Sequence, residues 1–181
     1  MIDTKTLAIG FNAISKKMSE KRMDLISLDQ QTGDGDLGIS MDNGFKAVSD
    51  VCCVNANTSD IGKLLFLAGK SFNEAAPSSL GTIISMLLID AAKQLKGAEK
   101  TAIADFGNIM HKSMNAIMEK LDSRLGEKTF FDSVVPAVKA LCDEAAVSDE
   151  QRLKNAAEAA RNGAESTRNM VAKHIAGCKS V

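Results

Sequence analysis

The sequence predicts an all-α protein, a single domain over residues 1–181 built as an antiparallel barrel or bundle of about eight helices. Three observations carry that prediction. Apolar residues recur at intervals of three and four along most of the chain, no stretch alternates as a half-buried strand would, and the interruptions are short. With 181 residues, 45% of them hydrophobic and 25% charged, the chain has ordinary globular composition and can bury one core.

Leu7, Phe11, Ile14 and Met18 mark the apolar face of a first helix. Ile61, Leu64, Leu65 and Ala68 mark a second stripe, and Ile83, Ile84, Leu87, Leu88 and Ala91 a third. Ile103, Phe106, Ile109, Met110, Met114 and Ile117 follow, then Val134, Val135, Val138 and Leu141, then an alanine-rich stripe of Leu153, Ala156, Ala160 and Ala164. Asp60 and Ser79 have the side chains and positions of N-caps, and Ser148 with Gln151 has the form of a capping box. Gly97, Gly126 and the Asn55–Ser59 stretch read as connections, and Pro136 lies close enough to a helix start to be tolerated.

A formal net charge of -1 and a pI near 6.1 supply no basic field of the kind nucleic acids or anionic membranes attract. No stretch approaches the ~18 apolar residues of a membrane span. The start, MIDTKTLAIGFNAISKK, lacks a basic segment followed by an apolar block, so a cytoplasmic protein is expected. Cys52, Cys53, Cys142 and Cys178 show neither CxxC spacing nor the density of a disulfide framework, and His111 and His174 lie far from them in sequence. The cysteines read as ordinary thiols.

The chemistry concentrates in Leu28-Asp29-Gln30-Gln31-Thr32-Gly33-Asp34-Gly35-Asp36-Leu37-Gly38, where three acids interleave with three glycines. Converging carboxylates repel one another by about 1 to 4 kcal/mol per pair at about 4 Å near a protein surface, so a loop that gathers them gains from a cation. Oxygen-only ligands favour a hard divalent ion, and magnesium takes few protein carboxylates, completing its shell with water and phosphate oxygens. The glycines allow positive φ and a close approach to a bulky anion. A solvated Gly/Asp turn is the plain alternative. An EF-hand is excluded, because counting from Asp34 puts Gly38 at a ligand position and Phe45 where the bidentate Glu belongs. A Walker loop ending at Gly69-Lys70-Ser71 is excluded too, with Leu64 in place of its first glycine.

Two more segments offer phosphate contacts. Ala75-Ala76-Pro77-Ser78-Ser79-Leu80-Gly81-Thr82 places hydroxyls where a helix begins, a position that attracts phosphate, with simple capping as the alternative. Leu125-Gly126-Glu127-Lys128-Thr129-Phe130-Phe131-Asp132 puts a lysine and a threonine at another helix start, again with capping as the alternative.

In this order the three segments resemble the L subunit of dihydroxyacetone kinase, and the resemblance runs through most of the chain. LDQQTGDGDLG is similar to that family's metal loop, AAPSSLGT to its small-residue segment, LGEKTFFDSVVPA to its GDKTM-type segment, and AAEAARNGAESTRNMVAKH to its final helix. The resemblance implies a barrel of eight antiparallel helices with a nucleotide at one rim. It implies that Asp29, Asp34 and Asp36 ligate magnesium ions, two of them, bridging the phosphates of ADP or ATP. Leu37, Gly38, Ile39 and Ser40, with Ser78, Ser79 and Thr82, would surround the phosphates, and Phe130 would lie nearer the base. The chain departs from the family at Leu37, where a histidine is common, at Ser40, near which an asparagine is common, and at Asn73–Pro77, where a GG-[AT]-SG run is common. After Lys173-His174 it continues only as Ile175-Ala176-Gly177-Cys178-Lys179-Ser180-Val181, without the GRASYLGER and DPGA elements that cover the nucleotide.

The resemblance also implies the function: a kinase subunit that presents a nucleotide phosphate to a small ketose or triose held by a separate K-type subunit. No side-chain nucleophile is required of such a chain, since phosphoryl transfer rests on positioning and charge stabilisation. In one branch of the family a phosphohistidine protein rephosphorylates bound ADP; in the other ATP is consumed. The competing reading from another class is a non-catalytic binding or regulatory module that keeps the fold and the metal loop.

Overall fold

The computed structural model describes residues 1–31, 33–143, 145 and 148–173; His174 and Cys178 lie outside the described residues. Among the described residues there are seven α-helices, a short 3-10 turn and no β-strand, so the all-α expectation holds and the helix count comes close to it. The chain divides into two compact units, Met1–Lys100 and Thr101–Val181. In the first, α1 spans Thr4–Asp29, α2 Leu37–Asn55, α3 Ile61–Ala75 and α4 Ser79–Gln94. In the second, α5 spans Ile103–Lys120, α6 Phe131–Leu141 and α7 Asp149–Ser166, followed by the 3-10 turn Thr167–Asn169. No helix among the described residues is long and apolar enough to cross a membrane.

Side-chain caps start most of these helices, each satisfying an amide that has no intrahelical acceptor. Asp3 Oδ1 accepts from the Thr6 amide at 2.8 Å, and Asp60 Oδ1 from Lys63 at 2.9 Å and from Gly97 at 3.1 Å. At α4 the cap is Ser78, one residue ahead of the expected Ser79, with Gly81 donating to its Oγ at 3.1 Å. The capping box at α7 is half made: Gln151 donates its amide to Ser148 Oγ at 3.1 Å, while its side chain turns to Asn155 Oδ1 at 2.7 Å.

Two sets of contacts fix the ends of the first unit. Thr4 Oγ1 lies 2.9 Å from the Ala56 carbonyl and 2.8 Å from that of Thr58, and the Ile61 and Gly62 amides donate to the carbonyls of Ala98 and Leu95. The start of α1, the α2–α3 connection and the end of α4 therefore share one end. At the other, Gly44 in the first half of α2 faces Phe72 near the end of α3, and a Cβ there would come within 2.6 Å of the Phe72 ring. Phe45 meets Phe72 edge to face at 5.0 Å. Short connections between antiparallel neighbours thus carry the α1–α2 turn and the start of α4 to the same end of the unit.

The core of this unit is the one expected from α3 and α4. Ile61, Leu64, Leu65, Ala68, Phe72 and Ala91 are fully buried, with Ile84, Leu87 and Leu88 nearly so, while Ile83 is only half-buried. α1 differs: its buried residues are Thr4, Ala8, Phe11 and Ser15, while Ile14 is exposed. Small residues line its contact face because α2 comes close to it, and only Phe11 belongs to both the expected and the observed stripe. In the second unit Val135 and Val138 are buried as expected, but Leu153 is exposed and Ala156 is the buried residue of α7. α7 meets α6 through close backbone approach: Ser133 Oγ donates to the Ala160 carbonyl at 2.9 Å, and a Cβ at Gly163 would reach 2.2 Å from the Asp132 carbonyl. Pro136 has no N–H for that carbonyl, so α7 packs where α6 lacks a helical bond.

The adjacent thiols of α2 have opposite surroundings. Cys52 is fully buried and burial pushes its thiol up to about 12, whereas Cys53 is exposed. Since the thiolate is the reacting species, iodoacetamide at neutral pH is expected to alkylate Cys53 and spare Cys52 until the protein is unfolded. Peptide mapping by mass spectrometry checks this, and equal modification of both in the folded protein would contradict the buried placement.

Candidate functional site

The turn between α1 and α2 brings three carboxylates together. Asp29 is the last residue of α1 and Asp36 the residue before α2, with Asp34 between them. One carboxylate oxygen from each lies within 4.8 Å of the other two. The turn is shaped by its own polar groups: Gly33 donates to the Asp29 carbonyl at 2.6 Å, Leu37 to Asp29 Oδ2 at 3.2 Å, and Asp36 to Asp34 Oδ1 at 3.3 Å. Two glycines are needed for it. A Cβ at Gly33 would sit 2.5 Å from Asp29 Oδ1, and Gly35 has φ +82 against the Gln30 side chain.

The electrostatics follow from the crowding. The carboxyl of Asp36 is pushed above the ordinary aspartate range, first by its partial burial and then by the charges of Asp34 and Asp29. Asp29 is half-buried, and Asp34 and Asp36 are exposed, so the cluster opens to solvent. Three carboxylates on an open face suit a hard divalent cation such as magnesium. They supply negative charge and oxygen donors, and leave coordination positions for water or phosphate oxygens. A soft-metal reading does not fit, because no thiol or imidazole belongs to the cluster.

At the same end of the first unit, α4 begins behind Pro77. Ser78 caps it, Thr82 donates its hydroxyl to the Ser78 carbonyl at 3.0 Å, and a Cβ at Gly81 would lie 2.1 Å from the Ala76 carbonyl. Ser79 is the first residue of the helix, and its amide and that of Leu80 have no intrahelical acceptor. Leu37, Gly38, Ile39 and Ser40 form the first turn of α2, with the Ser40 amide bonded to the Asp36 carbonyl at 2.9 Å. The three aspartates and the two helix starts thus belong to one end of one unit. Phe130 belongs to the second unit, immediately before α6, edge-on to the buried Phe131 at 5.9 Å.

The turn before α6 holds two acids that are absent from the expected site. Asp132 is buried and accepts from Gly126 at 2.6 Å and from the Thr129 amide at 2.7 Å. Glu127, also buried, accepts from the Arg124 amide at 2.8 Å and from Lys173 Nζ at 2.6 Å. Thr129 followed three residues later by an acid is a capping-box spacing, so a signal for Asp132 is present in the sequence. None exists for the pairing of Glu127 with Lys173. His111 is half-buried within α5 and has no part in the carboxylate cluster.

An all-helical unit that gathers acidic oxygens and two helix starts at one end defines a protein equipped to hold a cation beside an anion. Residues 31–176 match the DAK2 domain, and the chain belongs to that family. It is 26% identical over 151 residues to the PEP-dependent dihydroxyacetone kinase, ADP-binding subunit DhaL, of Escherichia coli strain K12, covering 82% of this chain and 71% of that subunit. It is 27% identical over 179 residues to the dihydroxyacetone kinase of Komagataella pastoris, covering 95% of this chain and 28% of the yeast protein. The chain therefore spans most of the bacterial subunit and little more than a quarter of the yeast kinase. The fold is shared with the crystal structure of the dihydroxyacetone kinase from C. freundii in complex with AMP-PNP and Mg2+. There the TM-score is 0.73 at 21% identity, over 88% of this chain and 28% of that one.

Proposed function

We propose that this chain is the nucleotide-binding subunit of a dihydroxyacetone-type kinase. It presents a magnesium-bound ADP or ATP phosphate for transfer to a small ketose or triose held by a separate K-type subunit. The observation that carries the reading is the convergence of Asp29, Asp34 and Asp36 at the end of the first unit where α4 also begins. Its relatives named as an ADP-binding kinase subunit and as dihydroxyacetone kinases support the same assignment.

In this reading Asp29, Asp34 and Asp36 would hold the magnesium, two ions by the family resemblance, which would supply neutralisation of the phosphate charge. The chain's own groups do the positioning. In the first turn of α2, from Leu37 to Ser40, the Gly38 and Ile39 amides, and at the start of α4 the Ser79 and Leu80 amides with the hydroxyls of Ser78, Ser79 and Thr82, are offered to phosphate oxygens at the positive ends of two helices. Asp29 serves both parts of the site. Its carboxylate belongs to the cluster and its Oδ2 accepts the Leu37 amide, so the aspartate turn and the α2 start are tied together. By the family resemblance alone, Phe130 is the candidate contact for the base. Nothing here provides a covalent site, in keeping with a phosphoryl transfer driven by alignment and charge.

The isolated chain is expected to phosphorylate no dihydroxyacetone with ATP, and turnover is expected only after the K-type subunit of the same organism is added. A coupled assay for the phosphorylated triose checks this, and robust turnover by the chain alone would sink the two-subunit reading. Native mass spectrometry of the purified protein addresses the donor: retained ADP points to rephosphorylation by a phosphohistidine protein, and exchangeable ATP to direct use.

A further inference from the structure

At the end of the first unit away from the aspartates, the seam between α3 and α4 opens into a cavity of about 380 Å³. Two glycines of α3 draw the helices together along that seam. A Cβ at Gly62 would lie 2.6 Å from the Ala92 carbonyl, and one at Gly69 would lie 2.8 Å from Ile89 Cγ1 and 3.0 Å from the Ser85 carbonyl. The Ser85 hydroxyl, donating to the Gly69 carbonyl at 2.8 Å, fastens the two helices there. Gly62 and Ala92 add little bulk to the cavity lining, and Phe66 and Ile89 supply its apolar surface. Phe66 is 49% exposed, and it is the one exposed phenylalanine of the seven in the chain. An aromatic ring left half in water beside a cavity is a surface that gains from being covered.

The charges around the cavity are unequal. Lys63, Lys93 and Lys96 belong to its lining against a single acid, Asp60. That acid is already engaged, since its Oδ1 accepts the Lys63 amide at 2.9 Å and the Gly97 amide at 3.1 Å. Lys93 lies 3.8 Å from Asp90, whereas Lys63 and Lys96 make no ion pair among the described residues. The first amides of α3 are taken as well, Ile61 by the Ala98 carbonyl, Gly62 by the Leu95 carbonyl and Lys63 by Asp60. The donors left for a ligand are therefore the lysine ammonium groups.

We propose that this cavity is a ligand site apart from the aspartate cluster, for a small apolar carboxylate whose body covers Phe66 and Ile89 and whose charge meets Lys63 and Lys96. A protein partner needs roughly 800 Å² of surface on each side, whereas a concave site of a few hundred cubic ångströms is the size that takes a small molecule. All the residues involved lie within Met1–Lys100, and the site stands whether or not the nucleotide reading holds.

The test uses naphthoate and its neutral counterpart naphthamide, titrated calorimetrically into the whole chain. Naphthoate is expected to bind at one saturable site, with naphthamide about tenfold weaker for want of the charge. Lys63→Gln combined with Lys96→Gln is expected to raise the naphthoate Kd about tenfold and leave naphthamide unchanged. Phe66→Ser is expected to weaken both ligands alike, with the helices intact by circular dichroism because the ring is half exposed. Lys16→Gln, at an exposed lysine on α1, keeps the parental values. Absence of saturable naphthoate binding by the parent would overturn the proposal, and so would parental naphthoate affinity in the double lysine variant. A dimer seen in sedimentation that is lost in Phe66→Ser and persists with naphthoate would give the cavity to a second copy of the chain and overturn it too.

Discussion

Asp36→Asn is expected to abolish magnesium-dependent nucleotide binding while leaving the helices intact. The substitution is nearly isosteric and removes one charge from a cluster whose oxygens lie within 4.8 Å of each other. It does not cost a helix cap, since the Asp36 side chain makes no capping bond to α2. After desolvation, the charges of Asp34 and Asp29 push the Asp36 carboxyl upward, and that part shows what a cation would relieve. Without metal, the variant is therefore expected to melt at the parental temperature or slightly above. With magnesium and ADP, calorimetry should show a loss of affinity of roughly a hundredfold or more, about 2.7 kcal/mol. Asp34→Asn is expected to behave alike, because Asp34 is exposed and its contacts in the turn are with the neighbouring Asp36. Unchanged affinity in both variants would remove the metal-loop assignment altogether.

The second large effect is expected at Gly38, where α2 begins. A Cβ there would lie 2.2 Å from the Arg22 carbonyl, 2.8 Å from Ile26 Cγ1 and 3.0 Å from the Ile26 amide nitrogen. Two of those three atoms are helix backbone, which cannot swing aside, so Gly38→Val must push the start of α2 off α1. The expected cost is about 3 kcal/mol, a fall in melting temperature of roughly 6 to 12 °C for a chain of this size. Nucleotide affinity should fall as well, because the Leu37 amide is bonded to Asp29 and moves with the helix start. Gly10 is the matched control: a Cβ there would meet nothing within 4 Å, so Gly10→Ala should leave stability unchanged or raise it slightly. A Gly38→Val variant melting with the parent would show that the two helices are not in contact there.

These two residues also show what is legible in the sequence. The convergence of Asp29, Asp34 and Asp36 can be read directly, because acids and glycines interleaved at such density in a short turn must come together. α2 itself cannot be read as a stripe. Its buried positions are Gly38, Met41, Gly44, Val48 and Cys52, and two glycines in such a row erase the apolar period that marks α3 and α4. The same holds for α1 and α7, whose contact faces are built from Ala8, Ser15, Ala156 and Gly163: where helices approach closely, the chain spends small residues, and hydrophobicity no longer marks the buried side. The Ala75–Thr82 segment does stand at a helix start, yet the cap is Ser78 rather than Ser79, since the two are chemically equivalent and only the chain's path behind Pro77 separates them. The pairing of Glu127 with Lys173 lies beyond any local pattern, being set by how α6 and α7 pack.

The turn before α6 is built on two very different length scales. Asp132 finds its partner amide six residues back at Gly126, a ring so small that little chain entropy opposes its closure. Glu127 must wait for a lysine 46 residues downstream. On a growing chain the first contact can form as soon as the start of α6 has emerged, giving the turn its outline before α7 exists. The second can form only after α7 has been made and has packed against α6. The same few residues thus acquire their shape early and their last contact late, once the chain beyond α7 has been made.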